Sequence, residues 1–418
     1  MRRRLFLSIP VLCFLGSGMM TQADSQILSK EAAVHLALEQ NPDVLAARQV
    51  WEASQARIKQ ARALPEPELE LEYEELSAVT LLGSFGERSF GATQTIEFPL
   101  KWWQRGQAAS QAAKATRLAV LEMTRLDIGF RVKIAYDRVL FERKRLDYVM
   151  QNEQLAQDFL SKARRRLEAG DVSQLEVLRA DVEAGRGANR VIQVRNELSV
   201  AKAELNTLLA RPGRTPLEIN GDLDYRPVEM ELDKMQLLAL ERRPDFLGAG
   251  WALESSLSRK GIAGAALLPD LNLGVFRQTI RGPTGNDNFW RVGIKVDLPL
   301  WGATQQRGEL AEARALVNQA LAEKNGIRNQ ILLEIESAFL EVQTSGKQVV
   351  LFQERILREA ERSFVVANRR HVEGKANYVE LLGARQVLIE VREEYAAALF
   401  NARSALYRLE RASGGSLR

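Results

Sequence analysis

Phe289-Trp290-Arg291-Val292-Gly293-Ile294-Lys295-Val296-Asp297-Leu298 sets Trp290, Val292, Ile294, Val296 and Leu298 against Arg291, Gly293, Lys295 and Asp297. Successive side chains of an extended strand point to opposite faces, so this stretch reads as a strand with one apolar and one polar face. Three more stretches read alike. In Glu68–Glu74, Leu69, Leu71 and Tyr73 alternate with four glutamates. In Ser89–Phe98, Phe90, Ala92, Ile96 and Phe98 share a face; in Asp270–Val275, Leu271, Leu273 and Val275 do. The hairpin tips, Thr80–Arg88 and Gly282–Asn288, hold glycine and polar residues, as loops do. A half-buried soluble sheet gives the same alternation. Three features favour a membrane: strands of roughly 10 residues, the length of a tilted barrel strand, aromatics at their ends, and an export signal at the N-terminus. Phe98, Trp102, Trp103, Phe289, Trp290 and Trp301 stand where an interfacial girdle belongs. Four strands leave two open edges, which lipid does not tolerate, so several copies must share one barrel. Three copies would give about 12 strands, inside the range of outer-membrane barrels, although strand count alone does not fix three.

The two strand pairs belong to a longer pattern written twice. Asn41-Pro42-Asp43-Val44 recurs as Arg243-Pro244-Asp245-Phe246, and Ala63-Leu64-Pro65-Glu66-Pro67 as Leu267-Leu268-Pro269-Asp270. Phe98-Pro99-Leu100 recurs as Leu298-Pro299-Leu300, and Glu168-Ala169-Gly170 as Val372-Glu373-Gly374. A near-constant offset of about 200 residues implies two homologous halves. The expected division is an export signal at 1–23, a first repeat at 24–211, a collar or linker at 212–232, a second repeat at 233–412 and a tail at 413–418.

Each half opens with a helix, Ser29–Ala63 or Asp233–Ala266, broken at its proline. After the strands comes a long proline-free run, from about Trp103 to Leu167 and from about Ala303 to Val372. Roughly 65 helical residues reach about 100 Å. Ile331, Ile335, Ala338, Val342, Ser345, Val349, Phe352 and Ile356 are spaced 4 and 3 in turn. The return helices repeat this with Val191, Val194, Leu198, Ala201, Leu205 and Leu208, and with Leu388, Val391, Tyr395, Ala398, Ala402, Ala405 and Leu409. That is coiled-coil spacing. Gly170 and Gly374 end the outgoing helices as left-handed caps, and Ser173 and Asn377 are placed to cap the returning ones. The fold class is therefore mainly α with membrane β: a two-fold repeat of long coiled-coil hairpins with four strands per chain.

Arg2-Arg3-Arg4, an apolar stretch from Leu5 to Leu15, and small residues up to Ala23 form a secretory signal, too short to span a bilayer. Cys13, the single cysteine, lies within it, so the mature chain has neither a disulfide nor a thiolate metal site. Without the three arginines, 55 basic side chains face 54 acidic ones, which leaves no general field for nucleic acid. A mean hydropathy of -0.22 argues against a bundle of membrane-spanning helices.

No catalytic constellation stands out. His35 and His371 lack a ligand partner at i+3 or i+4, the mature methionines are scattered, and Gly83-Ser84-Phe85-Gly86 lacks the lysine of a phosphate loop. No cofactor or metal is called for. The glutamates of Glu66–Glu75 form either a cation-friendly wall or the polar face of an ordinary strand. A periplasmic coiled-coil adaptor is the rival reading, but it needs no duplicated strand pairs with aromatic ends. An exported enzyme would need a titratable cluster that the chain does not offer.

In its duplicated order the chain resembles the TolC-like outer-membrane efflux family. The resemblance rests on Asn41-Pro42-Asp43, Ala63-Leu64-Pro65, Thr95 through Leu100, Glu168 through Val172, Leu175 through Leu178 and their second copies, and it spans the mature chain. Asn-Pro-Asp followed by Ala-Leu-Pro-Glu-Pro is most similar to the heavy-metal efflux branch. The resemblance implies a homotrimer, a shared barrel in outer-membrane lipid and a helical tunnel through the periplasm. It implies a periplasmic adaptor and an inner-membrane pump as partners, with the duct itself doing no chemistry on the metal cations or small toxic compounds it carries. It makes Gly170, Asp171, Ser173, Leu175, Gly374, Asn377 and Val379 the adaptor-contact and gate region, with Arg164, Arg165, Arg166, Arg369 and Arg370 as candidate gate or entrance residues. The intact mass of the exported chain should correspond to residues 24–418; a mass that retains Cys13 would show an uncleaved anchor.

Overall fold

A computed structural model describes residues 27–76, 82, 85–227, 230–297, 303–376 and 378–416. The segment read as an export signal, with Cys13, the Leu298-Pro299-Leu300 repeat, Trp301 and Asn377 lie outside these residues. In chain order the elements are α1 (Lys30–Gln40), α2 (Pro42–Ala61), β1 (Glu68–Glu74), β2 (Glu87–Ile96), α3 (Pro99–Thr116), α4 (Met123–Glu168) and α5 (Gln174–Leu208). The second half repeats them as α6 (Leu232–Arg242), α7 (Pro244–Ala265), β3 (Asp270–Gly282), β4 (Gly285–Asp297), α8 (Ala303–Leu351), α9 (Leu357–Val372) and α10 (Tyr378–Ala412). The wider π-helical turns Arg117–Glu122 and Phe352–Ile356 join α3 to α4 and α8 to α9 without a break, so each half has one continuous helix of about 100 Å.

The two proline breaks share a backbone and differ in chemistry. Asn41 ends α1 and caps α2: its Oδ1 accepts from the Asp43 N–H at 2.9 Å, and its Nδ2 donates to the Leu208 carbonyl at 2.9 Å. Pro42 and Pro244 occupy the first helical turn, where no donor is needed. At the second break Arg243 makes no cap; buried, it pairs with Asp245 and Glu334.

The four strands form one antiparallel sheet in the order β1-β2-β3-β4, so the two halves meet at the β2–β3 pairing. β1 has the expected bounds. β3 and β4 run 13 residues each and turn at Pro283-Thr284, so the expected second tip, Gly282–Asn288, is mostly strand. Alternation breaks after Val275 because Arg277 lands on the apolar face, where its guanidinium stacks 5.4 Å from the Trp290 ring, and Phe276 is buried on the other face.

In the helical layer α4 packs against α5 on one side and α10 on the other, and α8 lies beyond α10. Every seam position read from the heptads is buried or half-buried. The main core joins Val132, Tyr136 and Val139 of α4 to Leu205 of α5 and to Leu399 and Ala402 of α10. The connection after α5 folds back over this layer. Leu217, Ile219 and Leu223 are buried, Leu28 bridges Ile219, and the Tyr136 hydroxyl lies 2.8 Å from the carbonyls of Leu28 and Asn220.

Asp137 is the polar centre of this region. It is 0% exposed, 2.6 Å from Lys30 Nζ and 2.7 Å from Arg403 Nε, and it accepts from the Tyr407 hydroxyl at 2.9 Å. Arg403 also donates to the Asp222 carbonyl and to Asp224. One carboxylate thus ties α1, α4, α10 and the connecting segment together. Burial holds the Lys30 ammonium below its usual range, with Asp137 pulling the other way, and pushes the Tyr407 phenol up. Asp137→Ala leaves two largely buried cations without their carboxylate. It should lower stability by about 3–5 kcal/mol in denaturant unfolding, whereas a loss within the ~1 kcal/mol of a surface pair would contradict this role.

Candidate functional site

The ends of the molecule carry the features that bear on function. At one end, sheet register sorts the side chains. Leu69 and Leu71, Phe90, Ala92 and Ile96, Leu271, Leu273 and Val275, and Trp290, Val292, Ile294 and Val296 fall on one face. This face is open: Trp290 is 66% and Val292 71% exposed. Apolar side chains cover most of this face, interrupted by Arg277 and Arg88, and an exposed apolar surface of this extent is suited to hydrocarbon. The opposite face carries Glu68, Glu70, Glu72, Glu74, Ser89, Thr93, Gln278, Arg291 and Lys295.

The expected aromatic girdle divides into two levels. Phe98, Trp102 and Trp103 stand together at the start of α3, at the helical foot of the sheet, all exposed. Trp102 Nε1 donates to the Arg62 carbonyl at 2.9 Å. The foot is pinned by Lys101 to Asp270 at 2.9 Å, by the Phe98 N–H to Asp270, and by Arg105 to Glu97 at 2.6 Å. Trp290 lies nearer the hairpin tip on the apolar face. Phe289 departs from the expectation: strand parity places it on the polar face beside Gln278, away from the girdle. Trp301 lies outside the described residues.

At the other end the two helical hairpins turn alike. Gly170 and Gly374 have φ of 83° and 71°, a left-handed conformation that glycine adopts without a Cβ clash. The Asp171 N–H donates to the Arg166 carbonyl and the Lys375 N–H to the Arg370 carbonyl, each at 2.8 Å, closing the same C-terminal cap twice. Ser173 occupies the N-cap position of α5, but its hydroxyl makes no capping hydrogen bond, contrary to the role read from sequence. Asn377 lies outside the described residues. Asp171, Leu175 and Val379 are exposed, with Leu175 at 56% and Val379 at 53%. Around the turns, Arg164 pairs with Asp181, Arg369 with Glu373 and Arg370 with Glu380. Tyr378 packs against Phe159, tying the two tips to each other.

Sequence reading named Leu175, Leu178 and Val372 near the tips but did not recognise two longer exposed apolar lines to which they belong. Leu175, Leu178, Val182, Ile192 and Val200 expose an apolar line along α5, and Leu333, Leu340, Leu351, Val365 and Val372 do so along α8 and α9. The spacing of Leu175, Leu178 and Val182 by 3 and 4 was a usable signal. Arg145 joins Glu142, Glu197 and Glu393 across α4, α5 and α10, and buried Arg385 of α10 faces Glu183 of α5 at 3.9 Å. Apart from Glu142, three residues before Arg145 on α4, these partners lie far apart in sequence, so no local pattern announces the cluster. Burial lowers the Arg385 guanidinium's proton affinity.

Among the described residues no group of three or more histidine, cysteine, aspartate or glutamate side chains is arranged to hold a metal, and no helix is long and apolar enough to cross a membrane. His35 does have a carboxylate at i+4, contrary to the sequence reading: its Nδ1 lies 3.6 Å from Glu39 on an exposed face, and among the described residues no further ligand joins the pair, while His371 Nδ1 is 3.2 Å from the Ala376 carbonyl. Gly170→Ala and Gly374→Ala should each destabilise the tip by about 1–2 kcal/mol, the cost of a Cβ in this conformation. The readout is faster hydrogen exchange at the Asp171 and Lys375 amides with the α4 core unchanged; unchanged tip exchange would contradict the cap.

Residues 33–211 and again 237–415 match the family model described as outer membrane efflux protein. The cobalt-zinc-cadmium resistance protein CzcC of Cupriavidus metallidurans is 25% identical over 392 residues, covering 93% of this chain and 90% of the relative. A crystal structure of CusC superposes with a TM-score of 0.78 at 19% identity, covering 93% of this chain and 92% of that one. The outer membrane protein VceC of Vibrio cholerae gives a TM-score of 0.75 at 19% identity, covering 93% of this chain and 97% of that one. The duplicated hairpins, the four-stranded sheet with one bare apolar face and the double family match lead to one conclusion: the chain belongs to the outer membrane efflux protein family, and is an outer-membrane efflux channel rather than a soluble periplasmic adaptor.

Proposed function

We propose that three copies of the chain close one barrel and one helical tunnel, forming the exit duct through which a tripartite pump expels metal cations. The observation that carries this is the position of the bare surfaces. β1 and β4 are the open edges of the sheet, and the exposed apolar lines of α5 and of α8 and α9 lie on the outer helices of the layer. An open sheet edge in hydrocarbon leaves backbone donors and acceptors without partners, each at a cost of several kcal/mol. Copies placed side by side remove the edges and pair the helical seams together. Three copies supply about 12 strands, a closed barrel of ordinary size.

A periplasmic adaptor fits the exposed tips around Gly170, Asp171, Ser173, Leu175, Gly374, Asn377 and Val379. An inner-membrane pump supplies the energy, so the duct needs no catalytic chemistry and no cofactor. Residues 1–23 direct export and are removed. Metal cations as cargo follow from the likeness to a cobalt-zinc-cadmium resistance protein and from the row of carboxylates on the polar face of β1.

The detergent-extracted chain should give discrete, cation-biased conductance steps in a planar bilayer. Cells lacking it should accumulate cobalt, zinc or cadmium. A chain recovered as a soluble, electrically silent monomer would overturn the duct, and unchanged metal accumulation with a working channel would overturn the cargo.

A further inference from the structure

Glu68, Glu70, Glu72 and Glu74 line the polar face of β1, an edge strand. Across β2 they meet Thr93, Gly91, Ser89 and Glu87, none of them basic. Glu70 accepts from the Thr93 hydroxyl at 3.1 Å, and among the described residues none of the four enters an ion pair. Like charges in a row on one strand face repel, and Glu74 sits directly opposite Glu87. On β1 and the neighbouring β2 this row lacks a counter-charge.

The cations stand on the other edge. On β4, register places Arg291 and Lys295 on the same face as the glutamates: Glu70, Gly91, Phe276 and Arg291 form one row across the sheet. The Arg291 guanidinium lies 4.8 Å from the Phe276 ring, which holds it over this face, and Lys295 is 3.3 Å from Asp297. All 13 residues of β4 are exposed. β1 and β4 run in opposite directions, so β4 of one copy and β1 of the next can pair antiparallel and continue the sheet.

We propose that the joint between copies is a β4–β1 pairing stitched on its polar face by Arg291 and Lys295 of one copy against the β1 glutamates of the next. This deepens and rests on the shared-barrel reading above. The occupant of the β4 edge is a second copy of this chain, chosen by charge. The match also sets register, because a one-residue slip would turn the glutamates towards lipid and put Leu69 and Leu71 on the cations' face. Pairs on a water-filled lumen are screened by salt, so the joint should weaken as ionic strength rises.

The test uses the full mature chain in detergent, read as the fraction migrating as an oligomer on a denaturing gel after graded heating. Arg291→Glu with Lys295→Glu should cut that fraction by about tenfold at the temperature where half of the wild-type oligomer survives. Adding Glu70→Lys and Glu72→Lys should restore it. Loss without restoration, or no loss, overturns the stitched joint. Independently, cysteines replacing Glu70 and Arg291, or Glu70 and Lys295, should join copies into dimers and trimers through a short thiol-reactive linker; monomers from both pairs also overturn it. A wild-type chain that is monomeric before heating sinks the shared barrel itself, a separate result.

Discussion

A sheet of four strands with one bare apolar face and two open edges is the constraint on which the rest of the molecule depends. Inside lipid no water is available to satisfy the backbone groups of β1 and β4. The strands therefore need neighbours outside the chain, and the helices below must follow the same circle. The exposed lines on α5 and on α8 and α9 lie at the outer helices of the layer, as a ring of repeated units requires. Duplication supplies this economically: each half brings one strand hairpin and one long helical hairpin, and the β2–β3 pairing joins the two halves within the chain.

The two halves are not chemically equal. Asn41 caps its helix with its own amide, whereas Arg243 sits buried at the matching break and relies on Asp245 and Glu334. Asp137 of the first half holds Lys30 of its own half and Arg403 and Tyr407 of the second, where the connecting segment wraps. A buried ion group of this kind contributes little net stability, but removing one member is strongly destabilising. It therefore acts as a positional lock between the helices and the segment that joins the repeats.

Much of the architecture was legible in the residues because it rests on periodicity. Period two marked the four strands, the 3-and-4 spacing marked each helical seam, and Gly170 and Gly374 marked the tips. What escaped was set by partners far away in sequence. β3 extends beyond Val275 because β2 and β4 pair with it, although Arg277 on the apolar face hides the pattern. Phe289 was grouped with the girdle by proximity, yet parity alone puts it on the polar face. Ser173 has the right residue type and position for a cap, but residue type does not aim a hydroxyl. The Asp137 cluster joins residues from three distant stretches, so no local motif could reveal it.

The central claim is that copies of this chain, and not one chain alone, complete the membrane barrel. Native mass spectrometry of the mature protein released from detergent micelles counts those copies directly. A single species of three chains is expected, enough for about 12 strands. A species of one or two chains would contradict it, because a sheet of four or eight strands from this chain would leave the helical seams of α5 and α8 without their third neighbour.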